Sequence, residues 1–310
     1  MNHDFRTIVP VEDNAVRLDH SQQVITLGSC FSDEVGKKLE EAGFDCLVNP
    51  FGVIFHPLPI SALLLRMIDS RTFTEKDLRK NSGVWSCFET HGKYNSSNRI
   101  DTLTKLNETL AVAHQKLQRC SWLFITLGTA WGYGLVDSDS IVANCHRFPQ
   151  QDFEKELVPH EHIEKELKGV LYKLKTINPN IKIVVTVSPV RHWKDGATQN
   201  SLSKSHLRIA ADSLCRQSGD IHYFPAYELV LDDLRDYRFT KEDMLHPNAQ
   251  AVNYVWDNFK KWSMDESTIQ RAKEFEGISR QLKHQPRSKE EQDRQAQLRE
   301  EFRLKMTQNV

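Results

Sequence analysis

Near-continuous apolar runs divide the chain, and each run is followed by a turn signal. They are VITL within residues 21–31, WLFITL before Gly128 and IKIVVTV before Ser188, and a fourth candidate begins at Ile221. Such runs are typical of strands that are buried on both faces, as in a parallel sheet. The segment 153–177 has helical spacing and lies between two of the runs, so it predicts a crossover helix. The pattern therefore predicts a doubly wound, three-layer α/β domain of the flavodoxin-like kind.

A helix is predicted directly after the first run. Gly28 stops that run, Ser32 is the expected N-cap, and Gly43 ends the helix. The stretch DCLV then predicts a second strand. Residues 61–120 have a mostly helical pattern, which a hairpin or long loop carrying His91 interrupts.

The end of the chain divides into two parts. The stretch LHPNAQAVNYVWDNFKKW predicts a final amphipathic helix, with Pro247 at its first position. From Asp265 onward the composition becomes highly charged and poor in aromatic residues. We therefore expect an α/β domain over residues 1–264 and a solvated helical tail over 265–310.

Composition excludes several classes of partner. The chain has 41 Lys and Arg residues against 42 Asp and Glu residues, so no excess of positive charge favours nucleic acid. It has no apolar stretch of membrane-spanning length and no signal peptide pattern at its start, which predicts a cytoplasmic protein. Its six cysteines lack CxxC spacing, so we expect free thiols, no metal site and no cofactor. The sequence leaves the oligomeric state open.

The turn after the first run carries two candidate nucleophiles, Ser29 and Cys30. A nucleophile on a sharp strand-to-helix turn has an exposed side chain, and the helix start stabilises a thiolate or an oxyanion. The same residues are equally compatible with a purely structural glycine turn and helix cap.

A second candidate element is the stretch DMLHPN. Asp243 precedes His246 by three residues, so its carboxylate can accept a hydrogen bond from imidazole Nδ1 and leave Nε2 free to take a proton. Asp and His also serve as helix caps, so the spacing alone is weak evidence for catalysis.

Taken in order, these motifs resemble the GSCFA-domain family, which belongs to the wider group of SGNH or GDSL-type hydrolases. The resemblance covers approximately residues 20–262. The segments that carry it are LGSCFSDEVGKKL, NPFGVIFHP, LFITLGTAW, VANCHRFP, VTVSPVRHWKDG, NSLSKSHL and DMLHPN.

The resemblance implies roles for individual residues. The Gly-Asp-Ser block of the wider group falls on Gly28-Ser29-Cys30, which places Cys30 at the nucleophile position and Ser29 where an aspartate is usual. The Asp-x-x-His block falls unchanged on Asp243 and His246, and Gly52 resembles the glycine that binds the oxyanion.

The block Gly-x-Asn-Asp is altered. It falls on Gly128-Thr129-Ala130-Trp131, so the asparagine that donates to the oxyanion is absent. One such donor is worth about 3 kcal/mol of barrier. The candidates to replace it are Thr129, Trp131, Asn144 and His146, and each has an equally ordinary structural role. We also consider His192 and Lys204, with Arg191, as groups that bind an anionic or polyhydroxyl substrate, or else as surface polar groups.

Three functions follow from these observations. The first is hydrolysis or transfer of an acyl group at an ester bond of a small molecule or glycan by a Cys/Ser-His-Asp mechanism. The second is a non-catalytic module of the same fold that binds a carbohydrate or peptide. The third is a scaffold whose charged tail binds a partner protein.

Overall fold

The computed structural model describes residues 6–11, 17–138, 140–286 and 288–307. The strands are β1 Gln23–Gly28, β2 Asp45–Val48, β3 Leu78–Asn81, β4 Val84–Cys87, β5 Trp122–Leu127, β6 Trp131–Leu135, β7 Phe153–Leu157, β8 Lys182–Val187 and β9 Ile221–Tyr223. The helices are α1 Cys30–Glu41, α2 Pro57–Asp69, α3 Arg99–Leu117, α4 His160–Ile177, α5 Ala197–Gln217, α6 Ala226–Glu228, α7 Ala249–Ser263, α8 Glu266–Leu282 and α9 Lys289–Thr307.

The central sheet of the described chain has five parallel strands in the order β2-β1-β5-β8-β9. Counted along the chain, this is the flavodoxin-like order 2-1-3-4-5, in which the order reverses between β1 and β5. The predicted doubly wound α/β fold is therefore confirmed. Ligands bind such sheets beyond the carboxyl ends of the strands, at the point of reversal.

Alternate residues of the sheet face different layers of helices. Ile25 packs in one core with α2, α3, α4 and α5, whereas its neighbour Val24 packs in a second core with α1 and α7. The period of two is the expected consequence of the strand pleat, and it explains why both kinds of position are apolar in a strand buried on both faces.

Two antiparallel hairpins lie outside the central sheet. One pairs β3 with β4, and only β4 overlaps the segment predicted as a hairpin or loop carrying His91, whereas β3 lies where the sequence predicts mostly helix. The other pairs β6 with β7, so the predicted helix over 153–177 is wrong for its first five residues. Phe153 is buried there while the next three residues are exposed, and α4 begins only after Pro159. A strand of five residues is too short to show a clear alternation of apolar and polar positions. The helical pattern of the residues that follow it therefore dominates the segment.

The charged end of the chain is helical, as predicted, but its first helix is not a solvated appendage. Phe275 of α8 is 1% exposed, and its ring packs so closely on Gly43 that a β-carbon there would lie 2.4 Å away. Glu276 accepts a hydrogen bond from Trp256 Nε1 at 2.6 Å. The expectation of a solvated tail is therefore wrong for α8, whereas α9 is mostly exposed. None of the helices in the described ranges is long and apolar enough to cross a membrane.

Candidate active site at the carboxyl ends of the strands

The turn after β1 requires a glycine at its first position. Gly28 has φ +136°, and a β-carbon there would lie 2.2 Å from the carbonyl oxygen of Thr126 on the neighbouring strand. The amide of Ser29 donates to that same oxygen at 3.1 Å, and the Gly28 carbonyl accepts from the amide of Ile54 at 2.8 Å. These hydrogen bonds attach the turn to β5 on one side and to the loop after β2 on the other.

Ser29 caps helix α1. Its Oγ accepts from the amide of Phe31 at 3.3 Å, and its side chain is buried. The prediction of Ser32 as the cap is wrong, because the helix already begins at Cys30. Ser32 lies inside the first turn, where its buried hydroxyl donates to the Leu27 carbonyl at 3.1 Å.

Cys30 is the first residue of α1, and its side chain is half-buried. Burial raises the pKa of the thiol, and the carboxylates of Asp33 and Glu34 act in the same direction. The ammonium of Lys204 acts against them. The thiol therefore needs a proton acceptor if it is to react as a thiolate near neutral pH.

Asn49, which is not among the residues predicted from the sequence, holds this turn in place. Its Oδ1 accepts from the amide of Gly28 at 2.8 Å, and its Nδ2 donates to Asp33 at 2.6 Å. The residue is buried with φ +36°, a conformation that asparagine tolerates better than most residues. The signal was present in the stretch NPFG, where an asparagine precedes a proline in a turn.

Asp243 and His246 form the predicted pair. His246 Nδ1 and Asp243 Oδ2 are 2.6 Å apart, and Asp243 Oδ1 accepts from the amides of Leu245 and His246, both at 2.9 Å. The two backbone hydrogen bonds and then the imidazole lower the pKa of Asp243 to about 2. The carboxylate therefore fixes the Nδ1–H tautomer and leaves Nε2 as the free nitrogen.

Arg191 holds the loop that carries Asp243 and His246 in position. Its guanidinium donates to the Met244 carbonyl at 2.5 Å and lies over the rings of Trp193 and Tyr237. The prediction that Pro247 opens the last helix is wrong. Asn248 is the N-cap and α7 begins at Ala249, because Pro247 instead bridges to Thr240 in an antiparallel pair.

Lys204 is buried beneath the strand ends. Its Nζ donates to the carbonyls of Gly128 at 2.6 Å and Ser188 at 2.7 Å, which follow β5 and β8. Burial lowers the pKa of Lys204 to about 7, and a charge on Cys30 acts in the opposite direction. Of the two roles considered for Lys204, that of a surface polar group is wrong, because its side chain has almost no contact with solvent.

His192 is a neutral neighbour of the same groups. Burial lowers its pKa to about 4, with further lowering by Lys204 and His246 and an opposing effect of Asp195. Its amide donates to Asn200 Oδ1 at 2.9 Å. Cys30 and His192 both interact electrostatically with Lys204, which its hydrogen bonds hold at the ends of β5 and β8.

Most of the groups that were expected to bind an oxyanion already donate hydrogen bonds to other acceptors. The amide of Gly52 donates to Asn49 at 2.7 Å, and those of Gly128 and Thr129 donate to Phe55 at 2.8 and 3.2 Å. Trp131 Nε1 donates to a backbone carbonyl of α5 at 3.3 Å. The Thr129 hydroxyl also has a partner, the Oγ of Ser203.

Asn144 and His146 have structural contacts. Asn144 Oδ1 accepts from the amide of His146 at 2.8 Å. The imidazole contacts the Cys87 carbonyl at 2.8 Å and the Asn95 amide at 3.2 Å, which ties this loop to the β3–β4 hairpin. These contacts occupy both ring nitrogens of His146.

Within the described ranges, no hydrogen bond joins His246 to Cys30 or to Ser29. The same part of the chain holds no group of three His, Cys, Asp or Glu side chains arranged to hold a metal ion. The structure thus places Cys30 after β1, Lys204 beneath the ends of β5 and β8, and the Asp243–His246 pair on the loop before α7. Asn144 and His146 are instead tied to the β3–β4 hairpin.

The strand order defines a doubly wound α/β protein, with a cysteine on the turn after β1 and an Asp–His pair before the last sheet-packed helix. The chain belongs to the GSCFA family, whose model matches residues 23–259. The predicted family resemblance is therefore confirmed. No curated protein matches the sequence.

Several solved structures are similar in outline. A protein from Streptococcus pneumonia whose name refers to platelet activating factor aligns at TM-score 0.41 with 10% identity, over 80% of this chain and 85% of that one. A carbohydrate esterase family 3 protein from Talaromyces cellulolyticus aligns at TM-score 0.33 with 12% identity, over 82% and 99%. An acetyl xylan esterase from the rumen bacterium Butyrivibrio proteoclasticus aligns at 0.36 with 12% identity, over 83% and 67%. Similarities of this size carry no argument about activity.

Proposed function

We propose that the protein hydrolyses or transfers acyl groups at ester bonds, with Cys30 as nucleophile, His246 as base and Asp243 as the residue that orients the base. The observation that carries this proposal is the 2.6 Å contact between Asp243 Oδ2 and His246 Nδ1. A carboxylate that is also held by two backbone amides has a fixed position, so it fixes the imidazole in turn.

Cys30 suits the role of nucleophile better than Ser29. The Ser29 hydroxyl is buried and engaged as a helix cap, so it is screened from a substrate. Cys30 is partly exposed at the first position of the helix, where the dipole favours a developing negative charge. In this proposal Ser29 is the helix cap and Cys30 is the nucleophile, which are the two roles that the sequence left unassigned.

The reaction follows two steps. In the first, the sulfur of Cys30 attacks the ester carbonyl, His246 takes the thiol proton and gives it to the departing alcohol, and a thioester remains. In the second, His246 takes a proton from water or from an acceptor alcohol, which attacks the thioester, and the proton returns to the Cys30 sulfur. The protons balance over the cycle.

The oxyanion site supports slow rather than fast turnover. The amide of Cys30 has no acceptor among the described residues other than its own side chain, so it is available to the oxyanion. The position of the usual asparagine is held by buried Ala130, and the nearby amides of Gly128 and Thr129 are engaged. Each missing donor lowers the rate about 100-fold or more.

The test uses p-nitrophenyl esters and acetylated sugars as substrates. We expect Cys30→Ala and His246→Gln to abolish turnover, Asp243→Asn to lower it by at least about 100-fold, and Cys145→Ser, at another half-buried cysteine, to leave it unchanged. Full turnover by His246→Gln would refute the proposed mechanism. Mapping of an iodoacetamide adduct by mass spectrometry identifies the reactive thiol.

One observation favours a second candidate, a carbohydrate- or peptide-binding module. Ala130 removes the oxyanion donor and is fully buried, so no nearby side chain can occupy its place without repacking. For such a module we expect thermal stabilisation by oligosaccharides together with no ester turnover and no adduct at Cys30. Ester turnover that depends on Cys30 would exclude it.

A further inference from the structure

A buried lysine lies beside the candidate nucleophile, and the mechanism above does not use it. Lys204 is 2% exposed, in the middle of α5, and no carboxylate forms an ion pair with it among the described residues. A lysine is rarely buried to this extent without a partner of opposite charge. Its burial therefore calls for a physical reason.

The hydrogen bonds of Lys204 suit a neutral amine. A neutral primary amine has two N–H donors and one lone pair. Both donors of Nζ are satisfied, by the carbonyls of Gly128 at 2.6 Å and Ser188 at 2.7 Å. These carbonyls belong to segments that follow β5 and β8, and they hold the nitrogen at the strand ends. The remaining tetrahedral position of Nζ is then a lone pair that can accept a proton.

The charged groups around this nitrogen come from several elements. On α1, Cys30 interacts electrostatically with Lys204, and Asp33 and Glu34 act on Cys30. After β8, His192 responds to the charge of Lys204. On α6, the ring of Tyr227 lies 6.0 Å from Nζ. Of the groups that interact directly with Lys204, the thiol of Cys30 is the one that can give it a proton.

We propose that Lys204 is the proton acceptor of Cys30, so that the two side chains form a thiolate–ammonium pair within the site. The inference rests on the proposed function only in naming Cys30 as the nucleophile. It agrees with the pKa of about 7 to which burial lowers Lys204, since the amine is then neutral and able to accept at physiological pH. No hydrogen bond joins the two groups in the described chain, and contacts between catalytic groups commonly tighten only when substrate is bound.

The proton balance is simple. The S–H bond of Cys30 breaks, an N–H bond forms on Lys204 Nζ, and thiolate and ammonium remain. In this scheme Lys204 takes the place of His246 as the acceptor of the thiol proton, and the ammonium gives that proton to the departing alcohol as the thioester forms. His246 then takes a proton from the incoming water and gives it to the Cys30 sulfur as the thioester is cleaved.

The test measures the rate of Cys30 alkylation by iodoacetamide against pH, which requires no substrate. In the unmodified protein we expect the rate to rise in a step near pH 7 and then reach a plateau, because one proton leaves the pair there. In Lys204→Met the step should disappear, and the rate at pH 8 should fall at least about tenfold, the effect of removing an opposite charge close to a thiol. His246→Gln should keep the step.

Lys93→Met is the matched control. Lys93 is an exposed lysine of this region, and its Nζ donates to the Asn49 carbonyl at 3.3 Å. We expect this variant to keep the step near pH 7. Lys204→Gln provides a second variant if Lys204→Met does not fold, and the comparison of the unmodified protein with His246→Gln requires neither.

The proposal is overturned if the step near pH 7 survives in a folded Lys204 variant, if it is lost in His246→Gln, or if the unmodified protein has no such step. Failure of the proposed function has a different signature. A step that depends on Lys204 in a protein with no ester turnover would retain the thiol–lysine pair and refute the acyl-transfer activity.

Discussion

Substitution of Asn49 by alanine tests whether one buried amide holds the turn that presents Cys30. The change removes two hydrogen bonds at once, the one accepted from the amide of Gly28 at 2.8 Å and the one donated to Asp33 at 2.6 Å. It also places alanine at φ +36°, where asparagine is better tolerated. Stability and the reactivity of the thiol should therefore change together.

The magnitude follows from the burial of the groups involved. A buried amide left without an acceptor costs about 1–3 kcal/mol, and the lost bond to a carboxylate and the left-handed backbone add to it, for a total of roughly 3–5 kcal/mol. In a chain of 310 residues the unfolding midpoint should fall by roughly 5–8 °C. Because the Gly28 amide is two residues from Cys30, the alkylation rate of the thiol should change as well.

Thermal unfolding and iodoacetamide alkylation measure the two effects. Asn107→Ala is the matched control, because Asn107 also bridges two backbone groups, the amide and carbonyl of Phe73 at 2.8 and 3.0 Å. We expect it to lower the melting temperature without altering Cys30 alkylation. If Asn49→Ala lost less than about 1 kcal/mol and kept the alkylation rate, the assignment of Asn49 as the support of the turn would be refuted.

Three further predictions concern the scaffold. Burial lowers the pKa of His56 to about 3, below its unfolded value, so its contribution to stability should be lost as pH falls below about 6.5, by up to about 1.4 kcal/mol per pH unit. Denaturation at several pH values should show a shallower dependence in His56→Asn, which keeps a helix cap. Phe275→Ala should destabilise the protein by about 3–5 kcal/mol if α8 is part of the core, whereas Leu304→Ala, at an exposed position, should have little effect by the same denaturation assay. Gly28→Ala should prevent folding or lower the melting temperature sharply, because its β-carbon would overlap a strand carbonyl, whereas Gly169→Ala, with open space around it, should be tolerated.

The central sheet could be predicted from the sequence because each of its buried strands is encoded by a short run of consecutive residues. Buried parallel strands produce apolar runs, and WLFITL and IKIVVTV correspond to β5 and β8 nearly residue for residue. The β6–β7 hairpin could not be predicted in the same way. Its strands of five residues contain glycines and charged residues, and pairing between them depends on contacts 26 positions apart, from Trp131 to Leu157.

The candidate site was partly predictable for the same reason. The hydrogen bond between Asp243 and His246 spans three residues, so their spacing alone predicts it. The contacts of Asn49 with Gly28 and of Lys204 with Gly128 span 21 and 76 residues. Such long-range contacts form only when the strands are arranged in the sheet. A local sequence pattern therefore does not predict them.

The loop after β5 is held by α5. Ala130, at the position where the resemblance implies an asparagine, is buried, and its amide donates to the Oγ of Ser203 at 2.8 Å. The adjacent Lys204 donates to the Gly128 carbonyl. Two neighbouring residues of α5, Ser203 and Lys204, therefore hold the backbone of this loop. A single Ala130→Asn substitution should accordingly not restore an oxyanion donor, because α5 fills the space and fixes the backbone. Under the proposed function, the reactivity of Cys30 depends on groups supplied by α5 and by the Asp243–His246 loop together.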